Sequence, residues 1–122
     1  MRDSYDEDRV LTEYVWRHYS HLFTQLERKV FTRMLLEMKT RDDPPDFETD
    51  PYFARRLAER DEAVMKALEG GHAGFQRRVR DRILAEDGYH VYINRCPVCR
   101  RIVRTPKAKQ CLWCHHDWHV TT

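Results

Sequence analysis

Cys96-Pro97-Val98-Cys99 and, after eleven further residues, Cys111-Leu112-Trp113-Cys114 contain every cysteine of this 122-residue chain. A Cys-x-x-Cys turn places two thiolates within reach of one ion, and two such turns complete a tetrahedral shell of four sulfurs. The residues between the pairs are enough for a strand, a turn and a returning strand, but not for a helical domain. The spacing therefore predicts a metal site whose ligands are Cys96, Cys99, Cys111 and Cys114.

The rest of the sequence favours a metal over disulfides. The first eight residues are acidic and lack an apolar signal region, and no apolar run reaches the roughly 18 residues of a membrane helix. We therefore expect a cytoplasmic protein that does not contact a membrane. In a reducing cytosol, four thiols at this spacing more often bind an ion than form disulfides. We expect one structural Zn²⁺ per chain.

The two cysteine pairs resemble the knuckles of zinc ribbons, in which β-hairpins present the ligands, and the resemblance covers residues 89 to 120. Rubredoxin-like sites use similar pairs to hold iron, which makes iron the main alternative metal. Those knuckles usually have glycine after the second cysteine, where this chain has Arg100 and His115. We therefore predict a left-handed backbone at one or both residues, at a cost of about 1 kcal/mol against glycine.

Three histidines close to the last cysteine offer an alternative ligand: His115, His116 and His119. Four cysteines already saturate a tetrahedral structural shell, so we expect the histidines to lie outside it. A saturated shell also leaves no open position for a substrate. The chain contains no phosphate-binding glycine loop, nucleophile elbow or spare cysteine. We therefore predict a protein that is not an enzyme.

A second metal site is the basis of the remaining enzyme hypothesis. His18 and His21 lie three residues apart on a predicted helix, and Glu13 or Glu27 would be distant candidates for a third ligand. The sequence lacks the His-Glu-x-x-His arrangement of zinc proteases. Ordinary surface or interface histidines are the simpler interpretation.

The first 40 residues have the pattern of a long amphipathic helix. Apolar residues recur at helical spacing from Val10 to Met38 without Gly or Pro, and Ser4-Tyr5-Asp6-Glu7 has the form of a capping box. We predict one helix over residues 5 to 39, about 50 Å long at ~1.5 Å per residue. The alternative is a break at Tyr19-Ser20-His21, where Ser20 could cap a second helix, or a bend at the same place.

Proline and glycine divide the following segment. Residues 41 to 50 contain paired prolines and predict a loop, and Asp50-Pro51 predicts a helix start. This helix should end at Gly70-Gly71, and another should carry Phe75, Val79, Ile83 and Leu84 on its packed face. The arginines of that last helix are expected on a solvated face: Arg77, Arg78, Arg80 and Arg82.

These elements predict a mainly α protein with two domains. A helical hairpin or small bundle would occupy residues 1 to 88, with the two shorter helices packed against the long one. A β-type zinc ribbon would occupy residues 89 to 122, with strands at residues 89–93, 102–105 and 117–120. An apolar stripe left uncovered on the long N-terminal helix would favour a homodimer.

Charge is distributed unevenly along the chain. Residues 1 to 70 carry a net charge of −4, whereas residues 71 to 122 carry +6. Four thiolates around one Zn²⁺ leave about −2, which nearby cations stabilise. Such an asymmetry often accompanies nucleic acid or another anionic partner, although solvent is the more frequent surrounding of the remaining charge. The predicted binding surface consists of six cations and one tryptophan: Arg95, Arg100, Arg101, Arg104, Lys107, Lys109 and Trp113.

The partner of this surface stays open between nucleic acid and protein. The knuckle spacing is similar to that of RNA-binding fingers of the Ran-binding-protein type. Those fingers carry tryptophan two residues before the first cysteine and asparagine between the pairs, whereas Asn94 occupies the first position and residues 100 to 110 contain no asparagine. This departure removes the residues with which those fingers recognise RNA. The sequence predicts a zinc-binding adaptor whose basic ribbon contacts nucleic acid or, as the alternative, a protein-binding or self-associating module whose ribbon is purely structural.

Overall fold

Five α-helices account for most of the regular structure in the computed structural model, which describes residues 4 to 119. The predicted mainly helical class is confirmed. Two short 3-10 turns accompany the helices, at Ser20–Leu22 and Gly88–His90. The helices are α1 (Glu7–His18), α2 (Gln25–Thr40), α3 (Pro51–Ala58), α4 (Glu62–Ala67) and α5 (His72–Glu86). Among the helices of residues 4 to 119, none combines the length and apolar character that crossing a membrane requires.

The prediction of one N-terminal helix is wrong, because α1 and α2 are separate helices. Thr24 begins α2 with a capping box: its hydroxyl accepts from the Glu27 N–H at 3.1 Å, and the Glu27 carboxylate accepts from the Thr24 N–H at 2.8 Å. These two bonds satisfy donors that a continuous helix would have paired with preceding carbonyls. The apolar residues keep their helical spacing across the break, so the periodicity of the sequence does not reveal it.

The predicted capping box at Ser4 is also wrong. Asp6 is the N-cap of α1, and its carboxylate accepts from the Arg9 N–H at 3.3 Å. Tyr5 and Glu7 instead contact the cysteine-containing segment. The Tyr5 hydroxyl accepts from the Ile102 N–H at 3.0 Å, and Glu7 forms an ion pair with Arg95.

Asp50 caps α3 and Pro51 lies in its first turn, as predicted. The helix predicted from there to Gly70 is interrupted, because Glu59 is extended and Asp61 caps α4 by accepting from the N–H groups of Ala63 and Val64. Gly70 and Gly71 adopt φ values of 89° and 98°, which confirms their role in ending this helical segment.

Contacts divide the chain into two compact units. The first unit contains the described residues up to Leu22 and from Arg80 onward, and the second is Phe23–Val79. The predicted domain boundary after residue 88 remains a prediction about independent folding. Buried side chains of the first unit include Tyr14, Val15, Tyr19, Ile83, Ile102 and Val103. In the second unit α2 packs against α3 and α4, and its buried side chains include Val30, Met34, Val64, Phe75 and Val79.

The arginines of α5 differ in their surroundings. Arg77 and Arg78 are exposed, as predicted. Arg80 is only 8% exposed, so its placement on a solvated face was wrong. Its guanidinium contacts the Asp8 carboxylate at 2.5 Å and donates to the Thr12 hydroxyl at 2.9 Å. Arg80 thereby connects α5 to α1 within the first unit.

The predicted strands are absent from residues 4 to 119, where only the isolated antiparallel bridges Arg95–Ile102 and Gln110–Asp117 occur. The strand predicted at 117–120 ends at Val120, which lies outside the described residues. Tyrosine hydroxyls replace the partner strand beside residues 92 to 94. The Tyr14 hydroxyl donates to the Tyr92 carbonyl at 2.6 Å and accepts from the Asn94 N–H at 3.1 Å. The Tyr92 N–H donates to the Tyr19 hydroxyl at 3.0 Å.

Candidate metal centre

Four sulfur atoms converge in the first unit. The Sγ atoms of Cys96, Cys99, Cys111 and Cys114 all lie within 4.8 Å of one another. The Cys96–Cys114 and Cys99–Cys111 distances are 3.6 Å, too long for a disulfide bond of about 2.05 Å. Tetrahedral zinc with Zn–S bonds of about 2.3 Å would place its sulfurs ~3.8 Å apart. The four cysteines are therefore positioned to bind one metal ion.

The two knuckles have the same backbone geometry. The Cys96 sulfur accepts from the N–H groups of Val98 and Cys99 at 3.3 and 3.5 Å. The Cys111 sulfur accepts from Trp113 and Cys114 at 3.3 and 3.4 Å. Each turn thus directs two donors at its first sulfur, an arrangement that stabilises a thiolate.

Both positions after the second cysteine adopt the predicted left-handed conformation. The φ angle is 67° at Arg100 and 66° at His115. The Arg100 N–H donates to the Cys96 carbonyl at 2.9 Å, and the His115 N–H donates to the Cys111 carbonyl at 3.0 Å. The positive φ closes each turn around its sulfur, so the prediction is confirmed at both residues.

The equivalence extends beyond the knuckles as a repeat of fifteen residues, the interval from Cys96 to Cys111. The Cys96 N–H donates to the Arg101 carbonyl, and the Cys111 N–H donates to the His116 carbonyl. The Val103 N–H donates to the Asn94 carbonyl, and the Trp118 N–H donates to the Lys109 carbonyl. The two isolated bridges have the same offset. Outside the cysteines the side chains differ, so the residue types alone gave no sign of this repeat.

The environment changes the pKa of two thiols in opposite directions. Burial opposes ionisation of Cys96, but the N–H groups of Cys99 and Val98 and hydrogen bonds from the Cys114 and Cys99 thiols together outweigh it and lower the pKa of this thiol to about 6. Burial raises the pKa of the Cys99 thiol to about 11. Because a metal ligand must be the thiolate, binding of an ion would release protons from the site.

Aromatic side chains surround the sulfurs. Val103, Ala108, Trp113 and Trp118 pack against the buried Cys96 and Cys111. Trp113 is half-buried, its indole N–H donates to the Ile102 carbonyl at 3.0 Å, and its ring lies edge-on to Tyr5 at 5.0 Å. Trp113 therefore supports the packing of the centre as well as bordering the predicted binding surface.

The six predicted surface cations have different surroundings. Arg95 already has partners within the protein: its guanidinium forms an ion pair with Glu7 and donates to the Arg100 carbonyl at 2.9 Å. The Arg101 guanidinium lies over the Tyr5 ring at 5.5 Å. The other four are exposed and have no carboxylate within ion-pair distance among residues 4 to 119: Arg100, Arg104, Lys107 and Lys109.

The histidines lie outside the sulfur cluster. His119 contacts Asp117 at 2.6 Å, and its N–H groups lower the pKa of that carboxyl. His116 stacks on Trp118. Within the described part of the chain, His18 and His21 are not brought together with a third potential ligand, because the four cysteines form the sole such group found there. His18 instead contacts the Arg104 carbonyl at 3.0 Å.

Asn94 and Tyr14 support the centre, although sequence analysis gave them no role. Asn94 is 5% exposed, and its side-chain amide donates to the carbonyls of Thr105 and Ala108 at 2.9 Å each. It thereby holds the turn between the two knuckles, while Tyr14 binds the Asn94 N–H from α1. A polar residue in an apolar segment was the only local signal for Asn94.

Comparison with known protein families, with curated proteins and with solved structures finds no match for this chain.

Proposed function

We propose that this protein is a non-enzymatic binding module in which one structural Zn²⁺ organises a ribbon-type segment that contacts nucleic acid. The observation that carries the proposal is the group of four sulfurs within 4.8 Å, two of them completely buried. Zinc suits a closed four-thiolate shell and supplies folding free energy to small modules. Iron remains the alternative metal for the same ligands.

The metal assignment is tested by elemental analysis of protein purified without added metal. We expect about one zinc per chain, since one tetrahedral shell holds one ion. Cys111→Ser should lower this value sharply, while His115→Ala should leave it unchanged. Stoichiometric iron, or two disulfides with little metal, would contradict zinc. Retention of zinc by Cys111→Ser together with its loss in His115→Ala would instead support a site of three cysteines and one histidine.

The nucleic-acid partner is supported by the exposed cations beside the centre. Arg100, Arg104, Lys107 and Lys109 lack carboxylate partners among residues 4 to 119, so their charge is available to phosphates. Each phosphate contact to a single strand adds about −0.7 to the slope of log affinity against log salt. Four contacts would give a slope of about −2.8.

A matched pair of double variants tests this surface. Arg104→Gln with Lys107→Gln should weaken binding of a fluorescent oligonucleotide and reduce the salt slope by about 1.4. Arg55→Gln with Lys66→Gln removes the same charges from exposed positions of the second unit and should change neither. No salt-dependent binding to RNA or DNA, or equal effects of the two double variants, would contradict the proposal.

Self-association through α2 is the second candidate. Leu35 and Met38 lie three residues apart on one side of this helix and are 49% and 54% exposed. Apolar side chains grouped on one helix favour contact with another protein surface. Light scattering should then detect a dimer that Leu35→Glu with Met38→Glu converts to monomer, whereas a monomeric parent protein would contradict this candidate.

A further inference from the structure

A cleft of about 190 Å³ lies in the first unit, beside the metal centre. One wall is α1 and the other consists of residues 102–104 with Leu112 and Trp113. The His18 imidazole joins the walls by its contact with the Arg104 carbonyl at 3.0 Å. A carbonyl only accepts hydrogen bonds, so His18 Nε2 carries the hydrogen.

The interior of the cleft is apolar and aromatic. Ile102, Val103 and Tyr14 are almost completely buried beneath it, and the partly exposed Val10 and Trp113 line its sides. These positions belong to elements that the Tyr14 hydroxyl and the Trp113 indole N–H hold in place. The cleft is therefore formed by the same contacts that position the metal centre.

The rim of the cleft is positively charged. Arg9, Arg17 and Arg104 lie on it with a single carboxylate, Glu13. Arg9 pairs with Glu13 at 3.3 Å, whereas Arg17 and Arg104 are exposed without a carboxylate partner among residues 4 to 119. An occupant must therefore present an apolar group to the interior and anionic groups to the rim.

The volume limits the occupant to one small group. Pockets for whole small-molecule ligands usually measure about 300–1,000 Å³, and this cleft is smaller. A single unit of a longer polyanion satisfies both the size and the charge. A nucleotide of a single strand offers a flat base next to a phosphate, and a guanidinium binds a phosphate with paired hydrogen bonds. A base paired within a duplex cannot enter.

We propose that this cleft binds one unpaired base of a single-stranded nucleic acid, with flanking phosphates on Arg17 and Arg104. The inference rests on the proposed function and extends it, because it gives the protein a preference for single strands. It also adds α1 to the contact surface, which otherwise consists of residues near the knuckles. An acidic protein segment with an apolar side chain is the competing occupant.

The test compares three labelled probes of equal length: a mixed-sequence single strand, its duplex, and an abasic strand that keeps the phosphates but lacks bases. A base held against aromatic side chains contributes about 1–3 kcal/mol, which is a five- to 150-fold change in affinity. We expect the abasic strand and the duplex to bind the parent protein at least about fivefold more weakly than the single strand.

Two variants locate the effect. Val10→Trp fills the cleft and should remove the preference for bases, while Leu26→Trp adds the same side chain at an exposed position of the second unit and should keep it. Arg17→Gln, a change at an exposed residue, should reduce the salt slope by about 0.7. Circular dichroism and zinc content confirm that each variant is folded.

The outcomes separate this inference from the proposed function. Equal salt-dependent binding of all three probes would overturn the base cleft and leave nucleic-acid binding intact. A base preference that Val10→Trp does not alter would also overturn it. Absence of all nucleic-acid binding would overturn both proposals, and binding of an acidic peptide that Val10→Trp abolishes would assign the cleft to a protein segment.

Discussion

Replacing Tyr14 with phenylalanine removes one oxygen atom that binds two backbone groups next to the first knuckle. The hydroxyl donates to the Tyr92 carbonyl at 2.6 Å and accepts from the Asn94 N–H at 3.1 Å. Tyr14 and Asn94 are 4% and 5% exposed, so water does not readily replace the lost contacts. The substitution therefore tests whether this side chain takes the place of a neighbouring strand.

The size of the effect follows from the groups left behind. The Tyr92 carbonyl keeps a longer contact with the Tyr19 hydroxyl at 3.3 Å, whereas the Asn94 N–H loses its acceptor. A buried donor without an acceptor costs about 1–3 kcal/mol, and the lost bond to Tyr92 adds about 1 kcal/mol. We expect Tyr14→Phe to lower the free energy of unfolding of the first unit by about 2–4 kcal/mol.

Tryptophan fluorescence measures this unit selectively, because Trp16, Trp113 and Trp118 all belong to it. With a urea dependence of about 2 kcal/mol per molar, the unfolding midpoint should fall by about 1–2 M. Tyr89→Phe makes the same chemical change at a residue that is 98% exposed and should leave the midpoint unchanged. Coincident midpoints for the two variants would refute the role given to the Tyr14 hydroxyl.

Three further measurements address the knuckles and their contact with α1. Arg100→Gly and His115→Gly should each raise the free energy of unfolding by about 0.5–1 kcal/mol, because glycine adopts their positive φ without strain. The urea midpoint measures this change, and a destabilisation equal to that of Arg101→Gly would contradict it. Protein-bound zinc should be retained at neutral pH and released to a chromogenic chelator on acidification, since protons compete for the thiolates; release independent of pH would contradict thiolate ligation. The hydrogen bond from Arg95 lowers the pKa of the Glu7 carboxyl in the folded protein. This ion pair therefore stabilises the fold above the unfolded pKa of about 4.3, and its contribution is lost as the pH falls through the pKa of folded Glu7. Glu7→Gln should therefore flatten the acid side of the stability profile, and an unchanged profile would contradict the linkage.

The features predicted correctly from the sequence are those that depend on short-range geometry. Paired Cys-x-x-Cys turns constrain their own backbone, which is why the convergence of sulfurs and the positive φ at Arg100 and His115 could both be predicted. Asp50-Pro51 and Gly70-Gly71 also act locally, through capping and through restricted or left-handed φ.

The features that the sequence did not reveal depend on contacts between distant residues. Periodicity describes which face of a helix is apolar, but not where the helix stops, so the capping box at Thr24 was overlooked. Residues 89 to 93 have strand-like composition, yet the Tyr92 carbonyl and the N–H groups of Tyr92 and Asn94 bind the hydroxyls of Tyr14 and Tyr19. No acidic residue lies near Arg95 in the sequence, which predicted a free cation. In the structure Arg95 forms an ion pair with Glu7 of α1.

The fifteen-residue repeat around the sulfurs makes the centre a duplicated building block. Residues 94–103 and 109–118 reproduce one another's backbone hydrogen bonds, while their side chains share little beyond the cysteines. Each half supplies its two potential metal ligands from one turn, so the outward side chains are left to diversify independently. One copy displays Arg100 and Arg101 where the other displays His115 and His116, so a single scaffold carries two chemically distinct faces.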